Sequence, residues 1–169
     1  MYDIAIIGGG VIGCSIAREL SKYKIKTIVI EKDSDVSCGA TKANSGIVHG
    51  GYDAKHGTKK GYFSHRGNIL FDQLNEELNF GFEKIGSLVL AFDNEEIKTL
   101  SKIIENGKKN NVENLKIIDR EKLLEIEPNI GEAIGALYCK EAGIVSPYEY
   151  CIALAENAIS NNVEFKFNS

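Results

Sequence analysis

The chain has 169 residues, of which 43% are hydrophobic and 26% charged, with a formal net charge of −4. This balance describes a globular fold with a sizeable core and excludes intrinsic disorder. The slight acidity and the scattering of the lysines exclude a general affinity for nucleic acid. No apolar run is long enough to cross a membrane, and the start, Met-Tyr-Asp-Ile-Ala-Ile-Ile, has no basic region of the kind that opens a secretory signal. Four cysteines, Cys14, Cys38, Cys139 and Cys151, form no C-x-x-C pair. They are expected to be isolated reduced thiols, with no metal site, in a cytoplasmic protein.

The first element is a strand over Ile4–Ile7, a β-branched run suited to a strand buried on both faces of a parallel sheet. It leads directly into Gly8-Gly9-Gly10. From Val11 to Tyr23 the spacing predicts a helix, with Ile12, Ile16, Ala17 and Leu20 inward and Arg18, Glu19 and Lys22 toward solvent. Thr27–Ile30 is a second β-branched strand, closed by Glu31-Lys32.

Strand, glycine turn, helix, strand and acid in that order make the context that a G-x-G-x-x-G pattern needs before it means dinucleotide binding. Gly8 permits the tight turn, Gly10 lets the backbone approach a pyrophosphate, and Gly13 lets helix and strand pack closely. The first helical amides, at Val11 and Ile12, and the helix dipole then face the phosphates. Glu31 lies 18 residues beyond Gly13, placed to accept hydrogen bonds from a ribose diol, and its charge disfavours a 2′-phosphate. The alternative is a glycine turn that binds nothing. The pattern does not separate FAD from NAD.

The stretch Ser37–Thr58, SCGATKANSGIVHGGYDAKHGT, is a long irregular loop where an NAD domain would pass directly into its next helix, and long ordered loops tend to be functional. On residue type alone, Asn44, Ser45 and Gly46 would be a simple turn and His49 a structural histidine.

Together IIGGGVIG, Glu31-Lys32, GATKANSGIVHGGY and IGSLVLAF resemble the FAD-dependent oxidoreductases that include D-amino-acid oxidase, glycine oxidase, glycerol-3-phosphate dehydrogenase and L-2-hydroxyglutarate dehydrogenase. The resemblance runs along essentially the whole chain, although members of the family are considerably longer. It implies an α/β fold: a Rossmann-like FAD/NAD(P)-binding domain with the start of an α+β substrate domain. It implies that Gly8, Gly10, Val11, Ile12, Gly13, Glu31 and Lys32 hold the ADP half of FAD. It further implies that Ala40 and Thr41 contact the pyrophosphate region, and that Asn44, Ser45, Gly46, Ile47 and Val48 run along the flavin up to a flavin-proximal His49. The expected activity is hydride transfer to flavin from a small hydroxy substrate, sn-glycerol 3-phosphate first, with L-2-hydroxyglutarate or another 2-hydroxy or amino acid as the alternative. A non-catalytic nucleotide-binding fragment is the competing class, and an NAD-dependent dehydrogenase ranks last. The electron acceptor, peripheral membrane contact and self-association stay open.

Further along, Lys59–Leu78 has helical spacing, with Arg66 either an anion ligand or a surface charge, and Lys84–Phe92 is a strand. Asp93 and Glu96 signal the start of an amphipathic helix. REKLLEIEP is a short helix stopped by Pro128, and IGALYCKEAGIV is a strand followed by a turn. Ser146-Pro147-Tyr148-Glu149 is a capping-box start for a helix over Pro147–Ser160. Val163, Phe165 and Phe167 alternate as a last strand that looks cut rather than finished. The expected division is an FAD-binding part over 1–78, a partial substrate domain over 79–142, and a return to the FAD-binding part over 143–169.

Overall fold

A computed structural model describes every residue, Met1–Ser169. In chain order its elements are β1 (Ile4–Ile7), α1 (Val11–Leu20), β2 (Thr27–Ile30), β3 (Ile47–Val48), α2 (Lys59–Leu78), β4 (Ser87–Ala91), α3 (Asn94–Lys109), β5 (Leu115–Asp119), α4 (Arg120–Ile126), β6 (Gly135–Cys139), β7 (Gly143–Ile144), α5 (Pro147–Ser160) and β8 (Glu164–Lys166). They form two compact units. The first comprises Met1–Gly46, Leu74–Phe82 and Val145–Ser169, the second Ile47–Gln73 and Glu83–Ile144. No helix is long and apolar enough to cross a membrane.

The first unit is built on a parallel sheet in the order β1-β2-β8. Its middle strand carries Thr27, Ile28 and Val29, all buried, as expected for β-branched residues covered on both faces. The helices α1 and α5 pack together through Cys14, Cys151, Leu154 and Ala155, while Ala17, Val29, Ala158 and Val163 form the adjoining cluster. Ser146 caps α5 by accepting from the Glu149 amide at 3.3 Å, and Pro147 takes the first helical position.

The inward face of α1 differs from the expected one. Gly13, Cys14 and Ala17 are buried, whereas Ile12 is 74% and Ile16 46% exposed. Small residues are what allow α1 and α5 to approach, so the helix is oriented by its small face rather than by its isoleucines. Arg18 is half-buried and paired with Glu77. Likewise β1 is an edge strand, not one covered on both faces: its inward positions are Ile4 and Ile6, and Ile7 is 79% exposed.

The second unit holds an antiparallel sheet in the order β4-β6-β5. Its period of two sorts side chains cleanly. Val89, Ala91, Leu137 and Cys139 face a core shared with Leu100 of α3, while Leu88, Leu90, Ala136 and Ile118 face Leu123 of α4. The register places Val89 and Ile117 beside Leu137, and Leu90 and Ile118 beside Ala136. Both helix starts follow the same chemistry, since Asp93 accepts from the Glu96 amide and Asp119 from the Lys122 amide, each at 2.9 Å. A short antiparallel pair, β3 with β7, completes the unit.

Leu154 is 1% exposed and sits where α5 meets α1. Leu154→Ala should destabilise the first unit by about 2–5 kcal/mol, because the surrounding side chains cannot close the void it leaves. Urea unfolding followed by circular dichroism would measure the loss, and a midpoint equal to that of the unaltered chain would contradict the packing described here.

Candidate dinucleotide site

In the first unit β1 runs into Gly8, whose φ of +104° is a backbone conformation that favours glycine. The turn brings the chain back on itself so closely that a Cβ on Gly13 would overlap the Gly8 carbonyl oxygen. Gly10 is the N-cap of α1 and offers no side-chain oxygen, and the first turn contains no acid. The positive end of the helix dipole is therefore left without a competing anion of its own. Thr41 from the following loop lies over this end, its Oγ1 accepting from the Val11 amide at 3.0 Å, and a Cβ on Gly10 would stand only 3.1 Å from that oxygen.

Glu31 closes β2 and is only 9% exposed. Its Oε2 accepts from the Gly9 amide at 2.5 Å and its Oε1 from the Asp33 amide at 2.9 Å. These two bonds, Asp33 first and Gly9 second, hold the carboxyl below the usual glutamate range despite its burial. Glu31 thus stays ionised, tied to the glycine turn by one oxygen and to Asp33, two residues on, by the other. Each oxygen keeps a further lone pair for a donor such as a hydroxyl. Lys32 beside it is exposed.

The loop after β2 is ordered by its own polar groups. Asn44 Nδ2 donates to the Thr41 carbonyl at 2.7 Å while its Oδ1 accepts from the Gly46 amide at 2.9 Å. Ala40 and Ser45 are exposed. Gly46, with φ +67°, is where the chain leaves the first unit, and its carbonyl accepts from the Val145 amide, where the chain returns. Ile47 and Val48 belong to β3 of the second unit, and the exposed His49 follows them.

In the second unit the stretch after His49 is held by three asparagines that the sequence reading did not single out. Asn68 of α2 donates to the carbonyls of His49 and Glu141, at 3.2 and 2.8 Å. Asn106 of α3 donates to Tyr52 and Ala54, and Asn110, one helical turn on, to Gly51 and Ala54. An Asn pair spaced i, i+4 near a helix C-terminus was the available signal. His56 bonds to Asn110 through Nδ1 at 3.1 Å, and with His65 and Arg66 it lines a hollow of about 400 Å³. Arg66 is exposed, donating to the Tyr62 hydroxyl.

The cysteines are not all isolated. Cys38 is partly exposed and Cys139 buried, but Cys14 and Cys151 meet with their sulfurs 3.7 Å apart. Spacing along the chain could not show this, since 137 residues separate them.

These features define a dinucleotide-binding βαβ unit with an ionised strand-end acid and an uncapped helix N-terminus. The family model for FAD dependent oxidoreductases matches residues 3–169, and the chain belongs to that family. It is 57% identical over 164 residues to the glycerol 3-phosphate dehydrogenase of Caloramator mitchellensis, covering 96% of this chain and 34% of that protein. It is 31% identical to the mitochondrial L-2-hydroxyglutarate dehydrogenase of Dictyostelium discoideum, covering 99% of this chain and 37% of that one. Among solved structures, dithionite-reduced L-alpha-glycerophosphate oxidase from Mycoplasma pneumoniae with FAD bound superposes with a TM-score of 0.90 at 31% identity, over 99% of this chain and 44% of that one. The chain therefore spans between about a third and a half of the length of these relatives.

The Glu31 bonds carry a pH dependence. The carboxyl is held lower in the folded state than in the unfolded chain, so its contribution to stability is complete above the unfolded value of about 4.3 and is lost as pH falls through the lower folded value. Glu31→Gln should accordingly flatten the acid limb of a stability profile measured by thermal melts between about pH 6 and pH 3. An acid limb unchanged from that of the parent chain would refute the clamp. Asn110, 7% exposed, makes a second test: Asn110→Ala should cost about 1–3 kcal/mol in chemical denaturation, because the Gly51 and Ala54 carbonyls lose its donor.

Proposed function

We propose that this chain is the cofactor-binding N-terminal part of an FAD-dependent dehydrogenase that oxidises sn-glycerol 3-phosphate. The observation that carries the reading is the ionised Glu31 locked to the Gly9 amide beside an uncapped helix N-terminus. That arrangement fits the ADP half of FAD: an acceptor for the ribose diol, and a helix N-terminus for the pyrophosphate, where the amides of Ile12 and Gly13 are open and that of Val11 is shared with Thr41 Oγ1. Gly8 and Gly10 give the phosphates room, and Thr41 with Ala40 borders them. In this reading residues 1–78 and 143–169 serve the cofactor and 79–142 open the substrate side.

FAD, when bound, supplies the hydride acceptor. The chain's own residues bind and orient. Lys32 adds a positive charge next to the ribose acid, and Asn44, Ser45, Gly46, Ile47 and Val48 supply the run of backbone along which the flavin half would lie. His49, at the end of that run, is the candidate to face the reacting carbon and hold a proton there, and its exposed ring leaves it available for that role. The substrate assignment follows the 57% identity to the Caloramator enzyme. An L-2-hydroxy acid is the second reading, supported by the Dictyostelium relative. Four free thiols suit a reducing compartment such as the cytoplasm.

Glu31→Arg should weaken FAD binding by about 1–3 kcal/mol, since it replaces a ribose acceptor by a cation that cannot accept. Flavin retained per protein after gel filtration, in a polypeptide extended to the length of the relatives, is the measurement. Equal retention would overturn the site. The 169 residues alone are expected to hold FAD weakly and to show no reduction of an artificial acceptor with glycerol 3-phosphate, because they comprise only about a third of the Caloramator enzyme. Tight stoichiometric flavin with turnover would show them sufficient. His49→Ala in the extended polypeptide should lower turnover while leaving the thermal midpoint unchanged, and a loss of folding would mark the histidine as structural.

A further inference from the structure

Beneath the glycine turn, Cys14 of α1 and Cys151 of α5 lie with their sulfurs 3.7 Å apart, both fully buried. Both also point at one oxygen, the carbonyl of Gly9, at 3.4 Å from Cys14 and 3.7 Å from Cys151. The same carbonyl accepts from the Ser37 amide at 3.0 Å, and the Gly9 amide is the group that donates to Glu31. One residue, Gly9, therefore has the ribose acid on its nitrogen and a pair of thiols close to its oxygen. We propose that Cys14 and Cys151 are an oxidation site that closes to a disulfide and, in closing, releases the Gly9 turn.

The sulfurs start at van der Waals separation and need to approach to about 2.05 Å, a movement small enough for the ends of two packed helices. A hydroperoxide is the oxidant. Peroxide attacked by one sulfur as its thiolate gives a sulfenic acid and expels hydroxide, and the second thiol then displaces water from that sulfur. Two thiols and one H₂O₂ thus become one disulfide and two waters. Whichever sulfur is oxidised first, the other lies in contact with it at 3.7 Å and serves as the resolving thiol. Burial makes the reaction slow, because peroxide reaches the pair only when the helices open locally. On closure both S–H groups are consumed, and the Gly9 carbonyl keeps only the Ser37 amide. The inference rests on the proposed function only for its consequence, since this is the turn assigned there to the pyrophosphate.

The four cysteines fall in four different tryptic peptides: Met1–Arg18, Asp33–Lys42, Leu123–Lys140 and Glu141–Lys166. The folded chain would be treated with hydrogen peroxide or diamide, alkylated, and digested without reduction. The expected product is Met1–Arg18 joined to Glu141–Lys166, two hydrogens lighter than the sum of the two and separated again by dithiothreitol. It should be absent from Cys14→Ser and from Cys151→Ala and retained in Cys38→Ser. Hydrogen exchange at the Gly9 amide should be faster in the linked chain. Failure to form this link while Cys38 becomes oxidised, or its formation only in urea, overturns the proposal. Unchanged exchange at Gly9 overturns the release of the turn. None of these readings requires bound FAD, so they stand apart from a failure of the proposed function.

Discussion

Gly9 is the residue on which the first unit turns. Its amide is held by the Glu31 carboxylate, its carbonyl by the Ser37 amide, and the sulfurs of Cys14 and Cys151 close over it from two helices. A glycine turn free to choose its own conformation would scatter the amides that follow it. Here the end of β2, the loop after it and both helices all fasten to one residue, so the start of α1 has a defined direction. The ionisation of Glu31 is part of that fastening, because a protonated acid would give up one of its two acceptor oxygens.

Leaving the N-terminus of α1 without a capping side chain of its own comes at a cost in helix stability that side-chain capping would otherwise avoid. The two helices with ordinary caps in the second unit show the contrast, with Asp93 and Asp119 each accepting from an amide of the first turn. At α1 no such acid stands at the cap, and the only side chain reaching the first turn's amides from outside is the neutral Thr41 hydroxyl. A neutral acceptor satisfies one donor without cancelling the dipole. The helix end is thus ordered and still electropositive, which is the combination a phosphate needs.

Much of this was legible in the sequence because it rests on local rules. The strand Ile4–Ile7, the helices Lys59–Leu78 and Pro147–Ser160, and the caps at Asp93 and Ser146 follow from residue type and spacing, and the structure places each there. The strand Leu115–Asp119 was missed, its LKIID run being short and only weakly alternating. The orientation of α1 was misjudged because periodicity says which residues share a face, not which face a neighbour can approach. Cys14 and Ala17 let α5 come close where isoleucines would not. The Cys14–Cys151 contact and the asparagine ties depend on residues far apart in the chain, and no local pattern carries that information.

The second unit orders its loop by another route that follows the same constraint. A segment such as 49–54 has no ladder to satisfy its carbonyls, yet Gly50, Gly51, Tyr52 and Ala54 are buried. Buried carbonyls need donors. Asn68, Asn106 and Asn110 supply them to His49, Gly51, Tyr52 and Ala54, from α2, α3 and the C-cap of α3, so the donors arrive on rigid supports. Each amide group spans two carbonyls: Asn106 and Asn110 link residues on either side of the bend, and Asn68 ties His49 to Glu141. That is why an asparagine, with two N–H bonds on one nitrogen, serves where a serine would satisfy a single oxygen. The loop that follows the candidate flavin-side residues is consequently held at several points by side chains of α2 and α3, and His49, at its head, is fastened through its backbone while its ring is left exposed.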